Sequence, residues 1–172
     1  MKNPLFTALV ALLFLLSSCA LENSVSTYPV NNHPTKTEQL TSVNKTLMLQ
    51  LVNSVRQNGC KCGDTYYPPA PPLVWDDRLE DAAQSHSNDM LQNNYFSHIE
   101  TDGSNGGVRI QRAGYNWMAY GENIGMGYKT EREVVEGWLK SPGHCKNIMN
   151  KLYKEMGVAR AGNYWTQDFG SR

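Results

Sequence analysis

Three segments of this chain carry apolar residues at the spacing of an amphipathic helix, at residues 47–55, 79–90 and 134–139. Apolar residues at three- and four-residue intervals lie on one face of a helix, and that face must be buried against another element. Pro142 and Gly143 follow the third segment and predict its end. We therefore expect three helices that pack on a common core, with a shorter helix at 108–113.

The C-terminal part predicts a β-hairpin. Residues 154–160 and 164–169 are rich in strand-forming residues, and Ala161-Gly162-Asn163 is a connection of the length that joins antiparallel strands. Together with the helices, this hairpin places the chain in the α+β class, with helices that flank a small antiparallel sheet.

The N-terminus predicts export and lipid anchoring. Lys2 precedes an apolar stretch, Leu5 to Leu16, that is too short to span a bilayer comfortably and fits a secretory signal. Leu16-Ser17-Ser18-Cys19 is a bacterial lipobox, so we expect residues 1–18 to be a lipoprotein signal peptide and Cys19 to be acylated. The acyl chains would make the membrane a partner of the protein. An ordinary signal peptide with a chance cysteine is the alternative.

The mature chain is expected to have a tether and one domain. Residues 19–44 are mostly polar and poor in apolar periodicity, which predicts a flexible tether, and 45–172 has the length of a single domain. The whole chain has 16 basic and 16 acidic residues. Because nucleic-acid binding surfaces normally show a basic excess, we exclude nucleic acid as a partner. Ala20 is not aspartate, so we expect an exported protein in the cell envelope, at the outer membrane of a Gram-negative cell, or outside the cell.

Five short segments resemble the CAP superfamily of cysteine-rich secretory proteins, antigen 5 and plant pathogenesis-related class 1 proteins, and most closely its bacterial branch. They are Ala83–Met90, Phe96-Ser97-His98 with Asp102-Gly103, Gly121-Glu122-Asn123-Ile124, Ser141–Met149 and Tyr164–Gly170. The resemblance runs from about Lys45 to Phe169 and implies a three-layer α-β-α sandwich.

The resemblance also implies a central cleft lined by histidines and glutamates. His98, Glu122 and His144 fall on the matching motif positions, so we expect them to share this cleft. Where many relatives have a second glutamate this chain has Leu139-Lys140-Ser141, and Glu136 is a candidate substitute, although a solvated helix face explains Glu136 as well. His98 and His144 could hold zinc or another divalent cation, but their spacing requires no metal. Hydrogen bonds that merely tie loops together are the alternative role for these side chains.

The cysteines add a predicted cross-link. The resemblance implies a disulfide between Cys62 and Cys145, which leaves Cys60 as a free thiol or as an exchange partner of Cys62. A structural zinc site at Cys60-Lys61-Cys62 is disfavoured, because zinc-binding cysteine pairs normally have at least two residues between them.

Two main functions remain open from the sequence, beside a weaker third in which the domain is a passive surface component whose partner recognises its loops. The first is a non-enzymatic binding module with a lipid, sterol-like or protein ligand. The second is a metal-dependent, peptidase-like hydrolase, in which Glu122 or Glu136 would be the catalytic carboxylate. No nucleophile elbow is present to support a serine hydrolase. Family membership predicts the fold better than the activity, so we favour the binding module.

Overall fold

The computed structural model describes residues 42–172, which form five helices and six strands. Residues 1–41, with the predicted signal peptide, Cys19 and most of the predicted tether, lie outside the described residues. The helices are α1 (Lys45–Asn58), α2 (Asp77–Asn93), α3 (Gly106–Arg112), α4 (Glu131–Lys140) and α5 (Pro142–Met149). The strands are β1 (Cys60–Cys62), β2 (Thr65–Tyr67), β3 (Val74–Trp75), β4 (Ala119–Met126), β5 (Glu155–Ala161) and β6 (Tyr164–Ser171).

The central sheet has the strand order β3-β5-β6-β4, and β1 and β2 form a separate hairpin. β4, β5 and β6 are antiparallel to their neighbours, whereas the two-residue strand β3 runs parallel to β5. The expected C-terminal hairpin is present, and Gly162 in its turn has a positive φ of 56°, a conformation that glycine adopts without strain. The expected antiparallel sheet is confirmed, with β3 as a parallel addition.

Helices cover both faces of the sheet, so the α+β class and the α-β-α layering are confirmed. α2 and α3 pack on one face, and α1, α4 and α5 form the layer on the other. The largest core cluster lies between the second layer and the sheet, and Trp138, Trp165 and Phe169 are its most deeply buried aromatic members. Within residues 42–172, no helix is both long and apolar enough to cross a membrane.

The expected end of the third helix is confirmed, but the helix that follows it was not predicted. Pro142 and Gly143 do end α4, but they also begin α5, which the sequence did not predict. Proline is well tolerated at the first position of a helix, because the amide hydrogen that it lacks would have no partner there. This helix matters for the candidate site, because it carries His144 and Cys145.

α2 packs unusually closely on β5. A Cβ atom at Gly157 would lie 2.0 Å from the backbone nitrogen of Glu80 and 2.4 Å from the carbonyl carbon of Leu79. Only glycine allows this approach, because the obstructing atoms belong to the helix backbone and cannot rotate away. Gly157 therefore fixes the distance between the α2 layer and the sheet.

A buried arginine joins α1 to the end of α5. Arg56 is fully buried, and its guanidinium donates hydrogen bonds only to backbone carbonyls. The acceptors are Pro71 O at 2.7 Å, Ile148 O at 2.6 Å, Asn150 O at 2.9 Å and Tyr153 O at 3.4 Å. Burial lowers the pKa of Arg56 to about 10, which still leaves it charged at neutral pH. The charge at the C-terminal end of α5 is favourable for the helix dipole.

The predicted disulfide is present: Cys62 and Cys145 are bonded, at a sequence separation of 83 residues. The disulfide attaches the N-terminal turn of α5 to the β1–β2 hairpin. The expectation of a free thiol at Cys60 is wrong, because none of the cysteines in the described part of the chain is free. Cys60 is fully buried, with its sulfur 3.6 Å from that of Cys145.

Strand β4 forms an edge of the sheet, yet its outer side is not open. Three side chains from the α4–α5 layer and the following loop donate hydrogen bonds to alternate carbonyls of this strand. They are Tyr153 Oη to Tyr120 O at 3.0 Å, Asn147 Nδ2 to Glu122 O at 3.0 Å and Trp138 Nε1 to Ile124 O at 3.0 Å. These contacts protect the edge against pairing with another strand and fix the backbone that carries Glu122.

Candidate functional site

Glu122 lies at the centre of the predicted site. It is on β4, directly opposite Asp168 of β6, and its side chain is only 5% exposed. Its Oε1 atom is 2.5 Å from Nδ1 of His98, and its Oε2 atom accepts a hydrogen bond from Nη2 of Arg109. Burial alone would raise the pKa of Glu122, but the hydrogen bond with His98 and the charge of Arg109 lower it below its ordinary value. Glu122 is therefore a buried carboxylate with a partner on each oxygen.

The loop between α2 and α3 brings His98 to this carboxylate. α2 ends at Asn94, whose left-handed conformation, with a φ of 51°, turns the chain out of the helix. Asp89, in the last turns of α2, then accepts hydrogen bonds from the hydroxyl of Tyr95 and from Thr101, so the loop is fastened on both sides of His98. The His98 side chain remains 52% exposed, which leaves one edge of the imidazole open to a ligand.

His86 of α2 forms a hydrogen bond with the backbone of the same loop. It is fully buried on α2, and its Nε2 atom is 2.9 Å from the carbonyl oxygen of Ser97 and 4.0 Å from Glu122 Oε1. Burial lowers the pKa of His86, against the opposing charge of Glu122. We therefore assign the neutral imidazole of His86 to packing and hydrogen bonding, in agreement with its place on the apolar side of the helix.

Arg109 was not predicted from the sequence. It projects from α3, its side chain is 1% exposed, and its Nη1 atom donates to His98 O at 3.2 Å and Ser104 O at 3.3 Å. One guanidinium thus holds both the backbone of the His98 loop and the carboxylate of Glu122. A single arginine in a short helix carries no pattern that marks it as buried, so the sequence offered no signal for this role.

His144 approaches from the opposite helical layer. It lies in the first turn of α5, where the disulfide of Cys145 holds the backbone, and its carbonyl oxygen accepts a hydrogen bond from Asn123 Nδ2 at 3.2 Å. Burial lowers the pKa of His144, and the charge of His98 lowers it further. A charge on His98 therefore acts on His144, although the two residues come from different sides of the sheet.

Glu136 is not joined to these residues. It lies on α4 and is partly buried, and no hydrogen bond or ion pair links its side chain to any residue between 42 and 172. Its assignment to the cleft stays a prediction from the sequence, and the geometry gives it no support.

A second buried carboxyl group lies beside the site. Asp168 is fully buried, and neither of its oxygens has a hydrogen-bond partner among the described residues. Burial raises the pKa of Asp168 well above its ordinary value, and the charge of Glu122 across the strand pair adds to this effect. Because two adjacent buried carboxyl groups strongly resist ionising together, we assign the negative charge to Glu122 and a proton to Asp168.

The residues fit a divalent metal ion poorly. Residues 42–172 contain one group of three or more potential ligand side chains whose ligand atoms all lie within 4.8 Å of one another. This group is Cys60, Cys62 and Cys145. Two of those sulfurs form the disulfide and are not available as thiolates. His98, Glu122 and His144 do not meet this distance, and both oxygens of Glu122 are already bonded.

Comparison with known proteins agrees with this fold. The family described as CAP, Cysteine-rich secretory protein family, matches residues 49–169. Two Bacillus subtilis proteins are similar: the uncharacterized protein YkwD is 32% identical over 159 residues, and the uncharacterized membrane protein YlbC is 38% identical over 100 residues. These matches cover 88% and 58% of the chain, but only 58% and 29% of YkwD and YlbC respectively.

Solved bacterial structures share the architecture. An extracellular protein with an SCP domain from Bacillus anthracis has a TM-score of 0.70 and 32% identity, and the match covers 85% of this chain and 45% of that one. An outer surface protein from Borrelia burgdorferi has a TM-score of 0.61 at 20% identity, covering 81% of this chain and 96% of that one. The second likeness concerns the fold alone.

Proposed function

The chain belongs to the CAP, or cysteine-rich secretory protein, family, and from this membership we propose that it is an envelope-anchored binding module. The proposed ligand is a small molecule with an apolar part, bound in the cleft around His98, Glu122 and His144. The observation that carries the proposal is the buried Glu122 carboxylate, which is fully bonded to Arg109 and His98 while the His98 ring stays half exposed.

The bonded state of Glu122 supports binding more than hydrolysis. A general base needs a free oxygen within reach of the proton that it removes, and both oxygens of Glu122 have partners. The metal-dependent hydrolase also needs an ion held by His98 and His144. In the described residues, these histidines do not belong to any group of three ligand atoms within 4.8 Å of one another. We therefore place the hydrolase second.

Apolar residues next to His98 support the choice of ligand. Phe96 is 45% exposed and Ile99 is 49% exposed, so two large apolar side chains flank the half-exposed imidazole on the same loop. Exposed apolar groups beside fixed polar groups are typical of small-molecule sites. A fatty acid matches this combination, since its carboxyl group can form a hydrogen bond with Nε2 of His98 when one proton lies between them, and its chain can cover Phe96 and Ile99.

A fluorescence titration tests the ligand proposal. The purified protein is titrated with cis-parinaric acid, a fluorescent fatty acid, and compared with a double variant, His98→Ala with His144→Ala. His33→Ala, which changes a histidine of the predicted tether, is the matched control. We expect saturable binding that is at least tenfold weaker in the double variant and unchanged in the control. Equal binding by all three proteins, or no binding by the folded wild type, contradicts the proposal.

The location is proposed from the N-terminus and from the relatives. Lipobox residue Cys19 would be acylated and would anchor the protein to the membrane surface, and the similar proteins include an extracellular protein and one named as a membrane protein. Expression of the wild type and of Cys19→Ser in a bacterium, followed by membrane fractionation, tests this. We expect only the wild type in the membrane fraction; membrane association of both proteins contradicts lipid anchoring at Cys19.

A further inference from the structure

We infer that Arg109 is the cation of this cleft, and that its guanidinium takes the place beside Glu122 that a divalent metal ion would need. The inference concerns the same cleft as the proposed function but does not depend on the identity of the ligand. It rests on three features of the described residues: the bonding of Glu122, the burial of Arg109 and the route by which α3 reaches the carboxylate.

Glu122 has no free oxygen for a metal ion. Oε1 is 2.5 Å from His98 Nδ1, and Oε2 accepts the hydrogen bond from Arg109 Nη2. The same contact occupies Nδ1 of His98, so an ion could use only the other ring nitrogen. To bind a metal between these side chains, the protein would have to break hydrogen bonds with a charged partner, which are among the strongest that side chains make.

Arg109 cannot easily move away. Its side chain is 1% exposed, and Nη1 also donates to His98 O and Ser104 O. Glu100 Oε1 lies 3.9 Å from Nε of the same guanidinium, so the positive charge also faces a second carboxylate. A divalent ion placed at Glu122 would lie close to this fixed positive charge, in a region where water screens charges only weakly.

The start of α3 runs beside Glu122 and Arg109. A Cβ atom at Gly106 would lie 3.4 Å from Glu122 Oε2 and 3.6 Å from Arg109 Nη2, so the backbone of the helix passes directly beside the ion pair. The cleft that results has a neutralised carboxylate and two imidazoles, and it suits a neutral or anionic ligand better than a divalent cation.

Zinc titration by calorimetry tests the inference. The wild type is compared with Arg109→Gln, which removes the charge, with Arg109→Lys, which keeps it, and with Arg112→Gln, which changes an exposed arginine of the same helix. We expect no stoichiometric zinc binding by the wild type, Arg109→Lys or Arg112→Gln up to roughly 100 μM zinc. We expect at least tenfold tighter binding by Arg109→Gln, lost again when His98→Ala is added.

The result that overturns the inference is zinc binding by the wild type at one equivalent that His98→Ala abolishes. Wild-type titration decides the question even if Arg109→Gln fails to fold, because the wild type and His98→Ala alone separate the two outcomes. Zinc binding by Arg109→Lys as tight as that by Arg109→Gln would equally overturn the role of the charge. Fatty-acid binding is measured separately, so failure of that titration leaves this test unaffected.

Discussion

Replacing Arg56 by methionine tests how strongly α1 is joined to the end of α5, the helix that carries His144. The substitution keeps an apolar stem of similar length but removes the guanidinium that bonds four carbonyls, two of them at Ile148 and Asn150 at the end of α5. The bonds to Ile148 O and Tyr153 O are buried, and each buried carbonyl left without a donor costs about 1–3 kcal/mol.

The net destabilisation works out at about 3 kcal/mol. The two buried carbonyls together lose roughly 2–6 kcal/mol, and relief from burying a charge offsets part of this loss. The other two acceptors are only partly buried, and water can replace the guanidinium there. With a urea m-value of about 1.5 kcal/mol/M for a domain of this size, the unfolding midpoint should fall by about 2 M.

Urea unfolding followed by circular dichroism measures this change. Arg56→Lys should lie between wild type and Arg56→Met, because one ammonium has too few donors for all four carbonyls. Arg112→Met is the control: its side chain is 58% exposed and its ion pair with Asp102 is a surface pair, so we expect a change below about 1 kcal/mol. A loss below about 1 kcal/mol in Arg56→Met would refute the reasoning.

Further changes test other parts of the structure. Joint replacement of Cys62 and Cys145 by alanine should lower the free energy of unfolding by about 4 kcal/mol, because the disulfide joins residues 83 positions apart; urea unfolding with no loss would contradict this. Gly157→Ala should destabilise by about 3 kcal/mol through its clash with the backbone of α2, whereas Gly143→Ala, with open space around its Cβ position, should change stability little in the same assay; equal values would be evidence against the clash. His86 has a lowered pKa in the folded protein, so the unfolded chain binds more protons below about pH 6.5 and stability falls as pH decreases from there. His86→Asn should reduce this slope, which can reach about 1.4 kcal/mol per pH unit for one group, and an unchanged slope would exclude His86 as its source.

Local patterns predicted much of the fold. Apolar periodicity identified α1, α2 and α4, because each buries one face against the sheet or a neighbouring helix. The hairpin of β5 and β6 followed from its short glycine-containing turn. β3 could not be predicted, since its two residues are a strand only through their pairing with β5. The sequence does not predict α5, because a proline that follows one helix indicates its end and equally suits the first position of the next.

The candidate site, like the fold, could be predicted from the sequence only in part. Motif resemblance located His98 and Glu122, and the structure brings them into contact. Arg109 and Asp168 were missed because their importance comes from burial beside Glu122, which neither residue type nor spacing shows in the sequence. The missed arginine changes the chemistry of the cleft, since it supplies a positive charge where a metal ion was one candidate.

The tautomer of His98 tests the central claim, a charged Glu122 held between Arg109 and His98. Nitrogen-15 NMR at high pH distinguishes the two neutral tautomers of a histidine ring. A charged Glu122 only accepts hydrogen bonds, so His98 must carry its proton on Nδ1 and leave Nε2 free. We predict the Nδ1–H tautomer for His98 in the wild type. An Nε2–H tautomer with unprotonated Nδ1 would contradict the account, since Glu122 would then have to be the protonated partner.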